Sequence, residues 1–457
     1  MKTLLHDATD RALAFLEELP HRRVAPPVDL AALRATMGGP LPERGIAAGE
    51  VLAHLDDAAR PGLVASGGPR FFGFVIGGSH PVALASDWLA STWDQNHGFY
   101  VLSPPASVAE EVAARWLLEL LGLPSRSSVA FVTGAQMANF TALAAARHDV
   151  LRRAGWDVET QGLAGSPGID VVASDESHIT VFRALRYLGL GTGNVLRVES
   201  DDQGRIVPSS LRSVLDACRR PVVVCAQAGD VNSGAFDPFD EIVPLVRERD
   251  GWLHVDGAFG LWAAASPGRR HLVRGVAGAD SWSVDAHKWL NVPYDCGIAI
   301  VADPEPHRAS MSTTTSYLIK SGGAERDPAD WTPEFSRRAR GIPVYATLRH
   351  LGRSGVAELV ERCCALTRRF VDRLTASPEV TVLNEVVLNQ ALLRFRDDDA
   401  TTREVIARVQ QEGTCWLGGT TWKGRAAMRI SLVNHLTTED DVDRSAAAIL
   451  GCLAEVA

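Results

Sequence analysis

The sequence predicts an α/β protein: a mostly parallel sheet covered by helices on both faces, followed by a smaller α+β domain. Two observations carry this reading. Between Ser128 and about Ala302, short apolar runs recur with helix-length segments between them. Most of these runs are continuously apolar instead of alternating, which is how strands read when both sheet faces are buried. Over 457 residues, an apolar share of 46% against 22% charged supplies enough material for such a core.

Residues 1–65 read as an N-terminal helical segment. Ala12, Phe15, Leu16 and Leu19 share one helical face, and His21-Arg22-Arg23 followed by Pro26-Pro27 ends that helix. A glycine-rich stretch runs from Ser66 to Ser79, where Gly77-Gly78 leaves room for a close backbone approach. Ser107 and Glu110 have capping-box spacing around Val108, Val112, Trp116 and Leu120, an amphipathic helix. The strand runs are 129–132, 169–172, 195–198, 222–225, 252–255 and 297–301, and Asp280-Ser281-Trp282-Ser283 is strand-like too. In such a sheet, ligands sit beyond the C-terminal strand ends. A loop rich in Ser, Thr, Gly and Pro spans about 303–333. Two helical stretches around short strands near 391–395 and 428–431 complete the chain. The expected domains are 1–65, 66–335 (large α/β) and 336–457 (small α+β).

Composition narrows the function. With 46 basic and 55 acidic residues the formal charge is −9, without the basic stripe that nucleic acid requires. No apolar run approaches the roughly 18 residues of a membrane span, and no signal-peptide core is visible, so a cytoplasmic protein without a membrane partner is expected. Seven cysteines, with no CxxC pair and no recurrent spacing to His, read as reduced packing residues instead of a disulfide framework or a zinc site; no metal is expected.

Lysine usage is the sharpest compositional signal. Arginine provides 42 of the 46 positive charges, and the lysines are Lys2, Lys288, Lys320 and Lys423. A lysine in an apolar context points to amine chemistry, because guanidinium stays protonated whereas an ammonium can lose its proton and attack. Lys288 stands in Asp285-Ala286-His287-Lys288-Trp289, after one strand and before another. It can form a Schiff base with an aldehyde cofactor; alone, it is equally compatible with a structural or anion-binding role.

Three further pieces lie at strand ends. His254-Val255-Asp256-Gly257-Ala258 places a carboxylate where it would keep a pyridine nitrogen protonated, with small residues leaving room for a flat ring. By itself Asp256 could be a helix N-cap. Thr133-Gly134-Ala135-Gln136, between a strand and a helix, forms an anion cup or a plain βα turn, and it is neither a Walker loop nor a dinucleotide fingerprint. His178, just past the run ending at Ala173, can stack on an aromatic ring or simply finish a helical turn. Phosphate cup, stacking imidazole, ring-nitrogen carboxylate and imine-forming amine together specify pyridoxal 5'-phosphate.

These residues resemble the group II pyridoxal-phosphate-dependent amino acid decarboxylases, the family of aromatic-L-amino-acid, glutamate, aspartate and cysteine-sulfinate decarboxylases. The likeness runs from Arg70-Phe71-Phe72-Gly73-Phe74 through Asp285-Ala286-His287-Lys288-Trp289 and Ser336-Arg337-Arg338 to Thr437-Thr438-Glu439-Asp440-Asp441. It implies a fold-type I transferase architecture with a seven-stranded sheet and a homodimer with active sites at the subunit interface. It also implies decarboxylation of an L-amino acid to an amine and CO2. Lys288 would then form the internal aldimine, Asp256 would pair with the pyridinium, and His178 would stack on the ring. His287 with Gly134, Ala135 and Gln136 would hold the phosphate near Asp285, Ala258 would leave room for the ring, and Asn232 and Ser233 would face the 3-hydroxyl side. Asn96, His97, Phe99 and Tyr100 would line the partner's substrate pocket. Asn96 and His97 hint at a polar or acidic substrate, and Arg429 would bind its carboxylate or form a structural ion pair.

One departure from the family pattern opens an alternative. The family's proton donor is a tyrosine shortly before the tryptophan matched by Trp331, yet Ser321 to Asp330 contains none, and Tyr317 matches a different position. Oxidative decarboxylation to an aldehyde, or aminotransfer, is the second expectation, and a non-catalytic scaffold the remote third.

Overall fold

The computed structural model describes residues 1–313 and 325–456. They form two compact units. The larger comprises 77–365 and 384–391; the smaller comprises 1–76, 366–383 and 392–457. The expected boundaries are shifted by this division: the N-terminal helical segment 1–65 falls within the smaller unit, and 336–365 within the α/β unit. The physical reason lies in the helices Lys2–Glu18, Leu30–Met37 and Ala48–Ala59, where Ala58 is the only buried residue, so they cannot build a core by themselves. Within the smaller unit they are tied down by Arg70, whose guanidinium donates to the carbonyls of Pro20, Arg22 and Thr414 and pairs with Asp441 at 3.2 Å.

The larger unit is built on seven strands: β1 (Ser128–Val132), β2 (Asp170–Ser174), β3 (Leu196–Val198), β4 (Val222–Gln227), β5 (Trp252–Asp256), β6 (Ser281–Asp285) and β7 (Gly297–Val301). Their order is β1-β7-β6-β5-β4-β2-β3. Strands β3, β2, β4, β5 and β6 pair parallel, while β7 is antiparallel to both β6 and β1. All residues of β1, β4, β5, β6 and β7 are buried, in agreement with the apolar runs of all but β6, which reads Ser-Trp-Ser-Val-Asp. The helix Ala135–Arg153 lies close to the sheet because its inner positions are small: Ala138 packs with Ala130, Val132 and Ala299.

The smaller unit has a four-stranded sheet in the order β10-β11-β9-β8, made of β8 (Val380–Val382), β9 (Gln390–Phe395), β10 (Gly418–Trp422) and β11 (Arg425–Ser431). Strands β9 and β11 match the expected runs. Strands β8 and β10 escaped sequence reading because one is three residues long and the other is Gly-Gly-Thr-Thr-Trp, with little apolar signal.

Two local expectations are also corrected. The Ser107/Glu110 capping box does not form: the helix starts at Pro104, placing both residues inside it. The 303–333 loop contains a helix, Pro304–Met311, capped by the Asp303 carboxylate on the Glu305 N–H. All seven cysteines are free and buried. Among the described residues, no helix is long and apolar enough to cross a membrane, and no cluster of His, Cys, Asp and Glu could hold a metal ion.

Candidate active site

Asp256 and Asp285 end the neighbouring parallel strands β5 and β6, so both acids emerge on the C-terminal edge of the sheet. Lys288 lies one tight turn past Asp285. Its Nζ pairs with Asp285 Oδ2 at 3.1 Å and stands 6.0 Å from the centroid of the Phe259 ring. Asn291 closes this turn in the left-handed region (φ 53°), its amide donating to the carbonyls of Trp289 at 2.7 Å and Lys288 at 3.3 Å. The close approach expected at Gly77 is made here: a Cβ on Gly77 would lie 1.9 Å from the Lys288 carbonyl oxygen. Gly77→Ala must therefore push the lysine turn away, at a cost of about 1–3 kcal/mol. We expect a lowered thermal midpoint and weaker cofactor retention on dialysis; unchanged values for both would show that the turn can give.

At the phosphate end, Gly134 has φ 152° and ψ 173°, a conformation that essentially only glycine adopts. A Cβ there would sit 3.3 Å from the His287 ring and 3.6 Å from Asp285 Oδ1. The Ala135 N–H, at the start of the Ala135–Arg153 helix, donates to Asp285 Oδ1 at 2.6 Å. The N–H at the helix end is thus committed to the Asp285 carboxylate, the kind of group that a helix N-terminus favours. Gln136 donates to the Thr180 carbonyl at 3.4 Å, and its buried Oε1 has no hydrogen-bond partner among the described residues. His287 accepts from the Cys296 N–H through Nδ1, which leaves the proton on Nε2, 3.5 Å from Asp285 Oδ1. Burial lowers the His287 pKa against the pull of Asp285, favouring the neutral ring. Tyr294 packs on that ring at 4.3 Å between centroids.

At the ring end, burial alone would raise the Asp256 pKa. His178, a hydrogen bond from Asn139 and Lys288 together outweigh it and hold the carboxyl below its ordinary value, hence ionised. Its oxygens accept from Asn139 Nδ2 at 3.0 Å, the Ala258 N–H at 3.1 Å and Ser283 Oγ at 3.3 Å. His178 caps the helix Ile179–Tyr187, with Nδ1 2.7 Å from Thr180 Oγ1. The helical-turn reading of this histidine is thus the one its contacts show.

Other expected residues are placed differently. Ser233 is fully buried, and its hydroxyl donates to the Gln203 carbonyl at 2.6 Å, while the Asn232 and Ser233 N–H groups are held by Asp230. This loop is closed on itself by Asp230 instead of offering the Ser233 hydroxyl outward. His97 is also buried, with Nδ1 at 2.9 Å from Ser103 Oγ and Nε2 at 2.8 Å from Glu110. Both ring nitrogens are committed, so the expectation that His97 lines a substrate pocket is corrected: it is part of a buried ion cluster. Asn96 bonds Ser336 and the Arg337 N–H, Phe99 packs edge-on against Phe335 at 5.2 Å, and the Tyr100 N–H donates to Asp327 at 2.9 Å. Arg429 lies on β11 of the smaller unit, opposite Gly418. Tyr317 lies outside the described residues. Sequence reading missed Asn139, Thr180 and Tyr294 as members of the site; the first two stood beside motifs already singled out, but only the fold shows what they touch.

A primary amine, an ionised acid, an imidazole, and a helix N-terminus behind a glycine with no Cβ to block it form the donor set that pyridoxal phosphate needs, and it fits. Comparisons agree. Residues 34–396 match the pyridoxal-dependent decarboxylase conserved domain. An aromatic-L-amino-acid decarboxylase of Bacillus atrophaeus is 26% identical, with 97% of this chain and 93% of that protein covered. A 4-hydroxyphenylacetaldehyde synthase of Rhodiola rosea is 28% identical, over 94% and 90%. The crystal structure of Oryza sativa TDC with PLP and tryptamine superposes with a TM-score of 0.93 at 26% identity, covering 99% of this chain and 97% of that one. The chain therefore belongs to the pyridoxal-dependent decarboxylases, fold-type I enzymes that act on amino acids with pyridoxal 5'-phosphate as cofactor.

Proposed function

We propose that this enzyme converts an L-amino acid to its amine and CO2, as a homodimer, with Lys288 as the cofactor-bearing amine. The observation that carries the proposal is the placement of Lys288 and an ionised Asp256 at adjacent strand ends. Pyridoxal phosphate supplies an electron sink for the bond that breaks at the amino acid's α-carbon. Asp256 keeps the sink cationic, because a fixed buried anion favours a protonated ring nitrogen beside it. The His178 ring would cover one face of the heterocycle. Asp285, 3.1 Å from Lys288 Nζ, is placed to take or return a proton at that nitrogen while the lysine exchanges with the substrate amine. His287 with Gly134, Ala135 and Gln136 would hold the phosphate.

A second reading is kept for one reason. No tyrosine occurs from Ser321 to Asp330, and a relative is named an aldehyde synthase. Incubating the holoenzyme with a panel of L-amino acids and measuring CO2, amine, aldehyde and peroxide together separates the two. Amine and CO2 in equal amounts are expected; aldehyde with peroxide would overturn the proposal in favour of oxidative decarboxylation. Sedimentation of the same preparation reads the assembly, since activity confined to a 49.1 kDa species would remove the dimer.

A further inference from the structure

Asn139 is fully buried, and every polar atom of its amide is used. Nδ2 donates to Asp256 Oδ2 at 3.0 Å and to Thr180 Oγ1 at 3.2 Å, and Oδ1 lies 2.9 Å from His254 Nε2. The amide can point only this way, because the flipped form would set its oxygen against a carboxylate. We infer that Asn139 is a positioning residue which, with Thr180, ties the carboxylate of Asp256 and the imidazole of His178 into one hydrogen-bonded unit, so that both groups directed at the cofactor ring are set by a single buried amide.

The direction of each bond follows from the chemistry of the partners. Asn139 Oδ1 is an acceptor, so His254 donates from Nε2. His254 Nδ1 is then an acceptor and receives the Ser281 hydroxyl at 2.9 Å, while that same oxygen accepts from the Trp252 indole at 2.9 Å. His254 is thereby locked in one tautomer, and burial lowers its pKa to about 4, which keeps it neutral. On the other side, Thr180 Oγ1 accepts from Asn139 and so turns its proton toward His178 Nδ1 at 2.7 Å. That leaves the His178 proton on Nε2. Donation therefore runs outward from Asn139 in two arms, one ending on the ring-nitrogen acid and the other on the ring-facing imidazole. Chains of this kind strengthen cooperatively in a low-dielectric interior. The network spans β5, β6 and the helices that begin at Ala135 and Ile179.

The inference rests on the assignment of Asp256 and His178 to the cofactor ring, so the test keeps the two apart. Cofactor affinity is measured by fluorescence titration of apo-protein, and the visible absorption of the holoenzyme is titrated with pH. Thr180→Val keeps the shape and removes the hydroxyl; Thr180→Ser restores it. We expect Thr180→Val to bind pyridoxal phosphate several-fold more weakly and to shift the spectral titration, with Thr180→Ser returning both toward the parent. Asn139→Leu should weaken binding about tenfold or more, since it removes a hydrogen bond to a charged group. If Thr180→Val and Thr180→Ser both match the parent in affinity and titration, the relay is wrong, and this pair decides the matter even if Asn139→Leu fails to fold. Asp256→Ala and His178→Ala run alongside: unchanged spectra in those two would sink the assignment itself, whereas changed spectra there with a silent Thr180→Val would sink only the relay.

Discussion

Lys288→Ala should lose at least about 10³-fold in turnover, because removing the nucleophile of a covalent mechanism takes away a whole pathway and not one contact. The same variant should no longer be labelled when the holoenzyme is treated with borohydride and digested, whereas the parent should carry the reduced adduct on the peptide containing Lys288. Lys288→Arg makes the comparison sharp. Guanidinium can preserve the charge pair that the lysine makes with Asp285 at 3.1 Å, yet it stays protonated and cannot condense with an aldehyde. If the role were electrostatic, the arginine variant would keep most of the activity; if it is covalent, both variants fall together. Full turnover in Lys288→Ala would refute the assignment. The sequence context makes the comparison pointed: this chain writes arginine for 42 of its 46 cations, so the lysine at 288 is a departure from its own habit.

How far the site could be read in advance depended on whether a residue's task shows in its neighbours along the chain. Asp256 and Lys288 were legible because each follows a buried strand, and the end of a parallel strand is where an α/β protein presents its chemistry. The small residues of the cup were legible for the same reason. His97 was not. Its position before Phe99, Tyr100 and a proline-rich helix start suggested a pocket, but what it touches, Glu110 and Ser103, is set by how the segment folds back. Glu110 misled through a local motif, since its spacing from Ser107 satisfies a capping box while the helix begins a turn earlier, at Pro104. Domain limits shifted for a related reason: Arg70 links residues near 20 to residues near 414 and 441, a pairing across the length of the chain that no window of sequence contains.

Glu110 carries the largest stability prediction. Glu110 is 7% exposed, and its carboxylate pairs with Arg337 at 2.8 Å and accepts from His97 at 2.8 Å. Burial alone would raise its pKa; Arg337, His97 and Arg326 overcome that and bring it from 4.5 down to about 2. A folded-state value depressed below the unfolded one favours the folded protein once the unfolded chain is ionised. This contribution is therefore complete above about pH 4.5 and disappears as pH falls toward 2. At about 1.4 kcal/mol per pKa unit, the group accounts for about 3 kcal/mol. Glu110→Gln keeps the shape but leaves the Arg337 guanidinium, whose side chain is 1% exposed, without its counter-charge, and breaking a buried pair this way costs about 3–5 kcal/mol. Urea unfolding at pH 7 should show that loss, and the difference between variant and parent should shrink as the titration is repeated down to pH 3. The same cluster also holds the segment that carries Asn96, Phe99 and Tyr100: the His97 N–H donates to the Arg337 carbonyl at 2.8 Å, and the Arg337 N–H to Asn96. Replacing Glu110 and Arg337 together by apolar residues should recover part of the stability, since no buried charge is then stranded. A double variant no more stable than Glu110→Gln would show that His97 and Arg326, and not the Glu110–Arg337 pair, hold this corner of the protein.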